Sequence, residues 1–209
     1  MGAKTAVLIH ADTDPIPVLR SEPVLDRDAA RAGVTRLFPG RSVDAVDDGR
    51  LGELGIPDHG LVYVGCFPGV RIVCGVFVDL PSTLPPHLVD AKAGRRIYAH
   101  SMYSVTDSLA FAVWENDALI RSLSLSPDTG VREDIGAPLP FEQPYWDGNC
   151  PVDMDDYGLP FHPLELGEEA LRAFFGYALE GAVDPVERKA WEIPLCGRAS
   201  KPQRTHRSA

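Results

Sequence analysis

No stretch of the 209 residues comes near 18 consecutive apolar side chains, so the sequence contains no membrane-spanning helix. The glycine loops of nucleotide-binding proteins, GxxxxGK[ST] and GxGxxG, do not occur, and no serine sits in GxSxG. Those absences remove the standard phosphate cradles and the hydrolase nucleophile elbow. The four cysteines, Cys66, Cys74, Cys150 and Cys196, form no CxxC pair. A zinc site built from Cys66 and Cys74 with His100 or His162 lacks ligand spacing, and the four read as free thiols packed as small apolar groups. No metal and no cofactor is expected.

Positive charge is scarce. Lys and Arg number 20 against 30 Asp and Glu, a formal charge of −10. The last stretch, "GRASKPQRTHRSA", holds Arg198, Lys201, Arg204 and Arg207 and no acid, so the body before it is more acidic than the whole. Such a body repels nucleic acid and anionic lipid. Residues 1–196 are expected to form one domain, and 197–209 a basic, disordered tail. The opening "MGAKTAVLIHAD" has one lysine and a short apolar run that meets acids at once. It reads as the first core strand of a cytoplasmic protein rather than a secretory signal.

Proline and glycine stand at 19 each, which favours turns over long helices, while 44% apolar content suffices for a real core. A strand is expected over Lys4–Ala11, then a short helix capped by Asp14 with Pro15 in its first turn. A second helix runs from Asp26 to about Phe38, with Ala30, Val34, Leu37 and Phe38 on one face. A strand follows over Ser42–Val46, and strand–helix–strand suggests a βαβ unit. The middle then changes character. "LVYVGCFPGVRIVCGVFV" folds back at Phe67-Pro68-Gly69. "RRIYAHSMYSV" is a strand, "DSLAFAVWENDALIRSLSLS" is two strands joined at Asn116-Asp117, and "VREDIG" is a last one. Ser122, Ser124 and Ser126 fall on one face there, Leu123 and Leu125 on the other. From Gly136 to Pro163 the aromatics Phe141, Tyr145, Trp146, Tyr157 and Phe161 imply an ordered irregular wrap. A final helix is expected over about Glu168–Leu179, with Glu168 paired to Arg172. The predicted fold is therefore α/β or α+β, a single mixed sheet that begins with a βαβ unit, continues in antiparallel hairpins and is covered by helices.

The candidate catalytic residues are Asp12, Asp14 and His10. An apolar strand ending in Asp-x-Asp is how haloacid-dehalogenase-type phosphatases present a nucleophile and an acid. Here Pro15 follows directly, and Lys92 and Asp155-Asp156 do not follow the strands that chemistry needs. A helix cap is the preferred reading of Asp14. "DMDDYGLPFHPLE" matches a calcium loop at Asp153, Asp155 and Gly158 but places Tyr157 fifth and Leu164 twelfth, where a carboxylate is required. That leaves an acidic turn, with a looser cation site including Asp147 as the alternative. His100, Tyr145 and Trp146 are the candidate ligand- or partner-binding residues.

The runs "MGAKT" with "AD" after the strand, "GCFPG", "RSLSLSPDTG", "IGAPLPFEQPYW" and "LPFHPLELGEEALRAFFGYALEG" together resemble a bacterial domain-of-unknown-function family over about residues 1–182. The resemblance implies a stand-alone cytoplasmic domain, and makes Asp12 part of the family's own strand–turn feature. It carries no activity, substrate or catalytic residue. The expected function is a non-catalytic binding or interaction protein, regulatory or immunity-like, whose partner is another protein. The alternative is metal-assisted hydrolysis or phosphoryl transfer at Asp12 and Asp14. The alternative needs a histidine and a third polar group beside Asp12 in one pocket. The binding reading expects an exposed aromatic patch at Tyr145–Trp146.

Overall fold

The apolar run after Lys4 becomes β1 (Lys4–Ala11), buried from Thr5 to Ala11 on both faces. The computed structural model describes residues 4–39, 41–53, 56–58, 60–89, 95–180, 185 and 191–202. Asp14 caps α1 (Pro15–Arg20), its Oδ1 accepting from the Ile16 N–H at 3.0 Å. Asp26 does the same for α2 (Arg27–Leu37) through the Ala29 N–H at 2.9 Å. Both are the helix starts that a capping aspartate dictates.

The remaining elements are β2 (Arg41–Ala45), β3 (Gly49–Arg50), β4 (Leu61–Phe67), β5 (Val70–Cys74), β6 (Arg96–Tyr103), β7 (Ser108–Glu115), β8 (Ala118–Ser126), β9 (Gly130–Ile135), α3 (Gln143–Trp146), α4 (Pro163–Phe175) and β10 (Pro194–Pro202). The strands make one sheet in the order β2-β10-β4-β5-β1-β6-β7-β8-β9, with β3 also on β10. Every pairing among the described residues is antiparallel. The expected hairpins form at the expected turns. Asn116 and Asp117 both take positive φ, 48° and 69°, the backbone that a two-residue hairpin loop needs.

Four expectations need correction. First, the βαβ unit does not place its two strands side by side. Both hydrogen-bonding edges of β1 are taken, by β5 and β6, so β2 lies against β10 with three strands between it and β1. Strands buried on both faces read as parallel-sheet strands by composition. Here an antiparallel sheet is covered on both sides instead. Second, the apolar run after Cys74 does not continue the hairpin. Gly75, with φ of 103°, donates to the Ala6 carbonyl at 2.8 Å and turns the chain off the sheet.

Third, the last helix begins at Pro163 and ends at Phe175, not at 168–179. The His162 Nδ1 accepts from the Leu164 N–H at 3.3 Å, Pro163 fills the first helical position, and left-handed Gly176 (φ 74°) stops it. The Glu168 carboxylate accepts from the Leu179 N–H at 2.7 Å, while the guanidinium of Arg172 meets Glu169 at 2.6 Å. Fourth, residues 197–202 of the stretch expected as a tail belong to β10, inserted between β2 and β4. Positions 203–209, with Arg204 and Arg207, lie outside the described residues, as do Lys92 and His59.

Two layers cover the sheet. One face carries Val7, Ile9, Ile72, Phe111 and Leu123 and packs against α1, α4 and the aromatic wrap. The other carries Leu8, Val64, Val73, Ala99 and Trp114 and packs against α2. Leu166, Leu171, Phe174 and Phe175 of α4 are buried, each worth roughly 1.5–3 kcal/mol of removed apolar surface. The helix can come this close to β6 because position 167 is glycine. A Cβ there would stand 2.6 Å from the Met102 sulfur.

The wrap is pinned by charge. Arg121 is wholly buried, and so is its partner Glu142. The Arg121 Nε and Nη2 donate to the two Glu142 oxygens at 2.9 and 2.6 Å, and Nη1 donates to the Ile135 carbonyl at 3.1 Å and to Asp134. Glu142 also accepts from the Leu139 N–H at 2.8 Å and the Trp146 indole at 3.2 Å. One side chain of β8 thereby holds the start of a segment that has little regular structure of its own.

Candidate functional site

The strand-end carboxylate Asp12 opens onto a cleft. Its N–H continues the β1 ladder by donating to the Gly69 carbonyl at 2.8 Å. Its Oδ1 accepts from the Arg95 N–H at 3.2 Å, while its second oxygen has no partner among the described residues. The cleft, about 420 Å³, is formed where β1 ends, β6 begins, β7 ends and α4 finishes; Asp12, Asp14, Arg95, Arg96, Tyr98 and Glu115 line it. Its charges are organised. Arg96 pairs with Glu115 at 2.8 Å and lies against the Tyr98 phenol; the Tyr98 contact, then Glu115, raises its pKa. Burial pushes the Tyr98 phenol up, with Arg96 opposing.

A second cleft of about 270 Å³ adjoins the first and shares Arg96, Tyr98, Glu115, Ala173 and Phe174 with it. Its own walls are apolar: Val113, Leu139, Pro140 and Phe141, with Ile120 44% exposed at the rim. The two make one groove with a charged end, where three carboxylates outnumber Arg95 and Arg96, and an aromatic end. Phe174 and Tyr98 form its floor, ring centroids 5.1 Å apart.

The histidines are not in it. His10 is 1% exposed on the α2 face of the sheet, its Nε2 2.8 Å from the Leu88 carbonyl and its Nδ1 without a partner among the described residues. Burial lowers its pKa to about 4, and Leu88 offsets part of that. His100 lies on the opposite face under α4, between the Thr5 hydroxyl at 2.7 Å and the Gly167 carbonyl at 3.0 Å. A carbonyl only accepts, so Nε2 carries the proton and Nδ1 accepts from Thr5. Burial lowers this histidine to about 4 as well.

Tyr145 and Trp146 do not form an exposed patch. Tyr145 is 7% exposed, Trp146 is half-buried, and both rings meet Phe161 edge-on at 5.4 and 5.0 Å. The wrap's aromatics are core material, which is why the segment is ordered. The exposed aromatic is Phe77, at 51%.

The metal possibilities are also rearranged. Cys66 packs on the α2 face and Cys74 on the other, where burial pushes its thiol up to about 12. Asp153, Asp155 and Asp156 are exposed, and Asp147 accepts from the Gln143 amide at 2.8 Å. Among the described residues no three of His, Cys, Asp and Glu stand in an arrangement that holds a metal ion. None of the described helices is long and apolar enough to cross a membrane.

Sequence reasoning picked out Asp12 and Asp14 but missed Arg96, Tyr98, Glu115 and Phe141. The signal for three of them was the pairing of β6 with β7. Arg96 stands opposite Glu115, and Tyr98 opposite Val113, at the ends of a hairpin whose turn was legible.

The chain belongs to a family of unknown function, DUF6928, whose profile matches residues 5–197. The match extends past the 182 residues over which the resemblance was read and takes in the start of β10. None of the curated proteins compared with the chain matches it, and no solved structure does.

Proposed function

We propose that this family member is a non-catalytic interaction protein of the cytoplasm, regulatory or immunity-like, and that its strand-end groove takes an extended peptide segment of a partner protein. The observation that carries the reading is the continuity of the two clefts. They share five lining residues and join a carboxylate end to an aromatic end. A peptide with a basic side chain beside an apolar one matches that polarity. The basic group meets the free oxygen of Asp12 with Asp14 near, Glu115 being held by Arg96, and the apolar group meets Phe141 and Leu139. The acidic character of the whole chain favours the approach of such a segment.

Selection from a displayed random-peptide library tests this. Enriched peptides should carry Lys or Arg a few residues from a large apolar side chain. Phe141→Ala should weaken them by about tenfold, the loss of one apolar anchor. Asp12→Asn should relax the basic preference while leaving the apolar one. Peptides enriched without either feature, or bound equally by both variants, would sink the reading.

Metal-assisted hydrolysis or phosphoryl transfer keeps one observation in its favour, the free Asp12 oxygen in a cleft with two further carboxylates. Against it, the Asp14 Oδ1 already caps α1, and both strand histidines face elsewhere. On our reading, wild type and Asp12→Asn give the same background with a generic phosphoester and Mg²⁺. A fall of roughly a hundredfold or more in Asp12→Asn would transfer the site to catalysis.

A further inference from the structure

A separate cavity of about 280 Å³ lies on the α2 side of the sheet, far along it toward β9, between the sheet and the chain that leaves at Gly75. Its floor is a row of small residues across three strands. Ser101 of β6 pairs with Ala110 of β7, which pairs with Ser124 of β8. Ser126 extends the row, and Phe77, Asp79, Thr129 and Arg132 stand around the opening.

Small side chains alone would only make the sheet surface low. The hydroxyls say more. The Ser101 Oγ accepts from the Val78 N–H at 2.8 Å, which leaves its own proton to donate. Ser126 and Thr129 share a hydrogen bond at 2.8 Å, and Ser126 also accepts from the Thr129 N–H at 3.3 Å. Ser124 is 2% exposed, and its hydroxyl has no partner among the described residues. A buried hydroxyl is normally hydrogen-bonded, and one left open at the floor of a cavity is satisfied by what enters the cavity.

The chemistry of the walls narrows that occupant. Serine and threonine hydroxyls both donate and accept, so they match a molecule whose own groups do the same. Two of the charges at the opening are joined, Arg132 to Asp79 at 2.5 Å, and supply fixed hydrogen-bonding edges; the third, Asp128, adds a carboxylate that accepts from hydroxyls and turns anions away. Phe77 keeps half its surface in water beside them, an aromatic face placed to cover C–H groups. The volume lies at the low end of small-molecule sites, roughly 300–1,000 Å³, and so suits a small occupant.

We propose that this cavity binds a neutral polyhydroxylated molecule of monosaccharide size. The site is independent of the strand-end groove, so it stands whether or not that groove binds a peptide.

Titration of the full, ¹⁵N-labelled chain with glucose, galactose, mannose, ribose and myo-inositol tests it, with glucose 6-phosphate as a charged comparison. At least one neutral probe should shift the amides of Ser124, Ser126 and Thr129 saturably. Phe77→Ala, at an exposed position, should weaken that probe by about tenfold through loss of the aromatic cover. Ser124→Ala should weaken it further, since it removes the open hydroxyl and adds no bulk. Failure of every neutral probe to saturate up to its solubility limit overturns the proposal. So does saturable binding that both variants leave unchanged, or a preference of more than about tenfold for the phosphorylated sugar.

Discussion

Replacing Glu142 by alanine should lower the free energy of unfolding by about 3 kcal/mol, the low end of the cost of breaking a buried ion pair, because it leaves the buried Arg121 guanidinium with only the half-exposed Asp134 as counter-charge. In a chain of this size that is a fall in Tm on the order of 10 °C. The loss exceeds what the pair itself contributes. Arg121 keeps Asp134 and its carbonyl partners at Ile135 and Gly136 but loses two charged hydrogen bonds inside the protein. The Leu139 N–H and the Trp146 indole lose their acceptor at the same time. The damage should therefore be local to the wrap, and proteolysis should first cut between β9 and α4. Combining Arg121→Met with Glu142→Leu should recover the part of the loss that comes from the uncompensated charge, since an apolar pair of similar volume needs no counter-charge, but not the part that comes from the Leu139 N–H and the Trp146 indole. Chemical denaturation of the two singles and the double measures this. A cost under about 1 kcal/mol for Glu142→Ala would show that water reaches Arg121 and that the pair does not hold the wrap.

Acid should weaken the fold over a defined interval. His10 and His100 both have pKa values lowered from 6.5 to about 4 by burial. A base whose pKa falls on folding supports the fold while it is neutral. That support is complete above pH 6.5, shrinks as the pH falls and is exhausted near pH 4. Each histidine accounts for roughly 3 kcal/mol across the interval. Glu168 works the other way. Burial raises its pKa, so protonation in acid relieves a penalty and offsets part of the loss. Denaturant midpoints at pH 7, 5.5 and 4 should fall steadily. His100→Gln, whatever its effect at pH 7, should cut the pH dependence by about half. A midpoint unchanged between pH 7 and pH 4 would mean that both imidazoles find a hydrogen-bonded place for their second proton.

What could be read from the sequence was what a few neighbouring residues decide. Asp14 and Asp26 start their helices because the side chain reaches an N–H two or three residues on. Asn116-Asp117 turns because both residues tolerate positive φ. The order of strands is a different kind of fact. It depends on which edges are free after the hairpins form, and β1 has none free for β2. The start of α4 was missed because a histidine cap is an uncommon signal, whereas its apolar face was plain. Arg121 was legible and overlooked. Period-two alternation puts it on the Leu123 and Leu125 face, so a buried charge and a buried acid to meet it were implied by "RSLSLS". For the site, Asp12 stood out because it ends a strand. Its companions come from β6, β7 and α4, more than 80 residues away in sequence, and only the sheet brings them together.

The place of β10 has a consequence for the order of events at the ribosome. Strand β2 emerges early, yet its one sheet neighbour among the described residues is β10, with Ala45 opposite Arg198. During synthesis the edge of β2 stays open until β10, about 150 residues later, has been made. The segment from β4 to β9 pairs meanwhile through hairpins and through β1, contacts that close sooner. The nascent protein therefore holds a seven-stranded sheet whose β4 edge waits for a strand still to come, the stage at which an exposed edge is most open to a wrong partner.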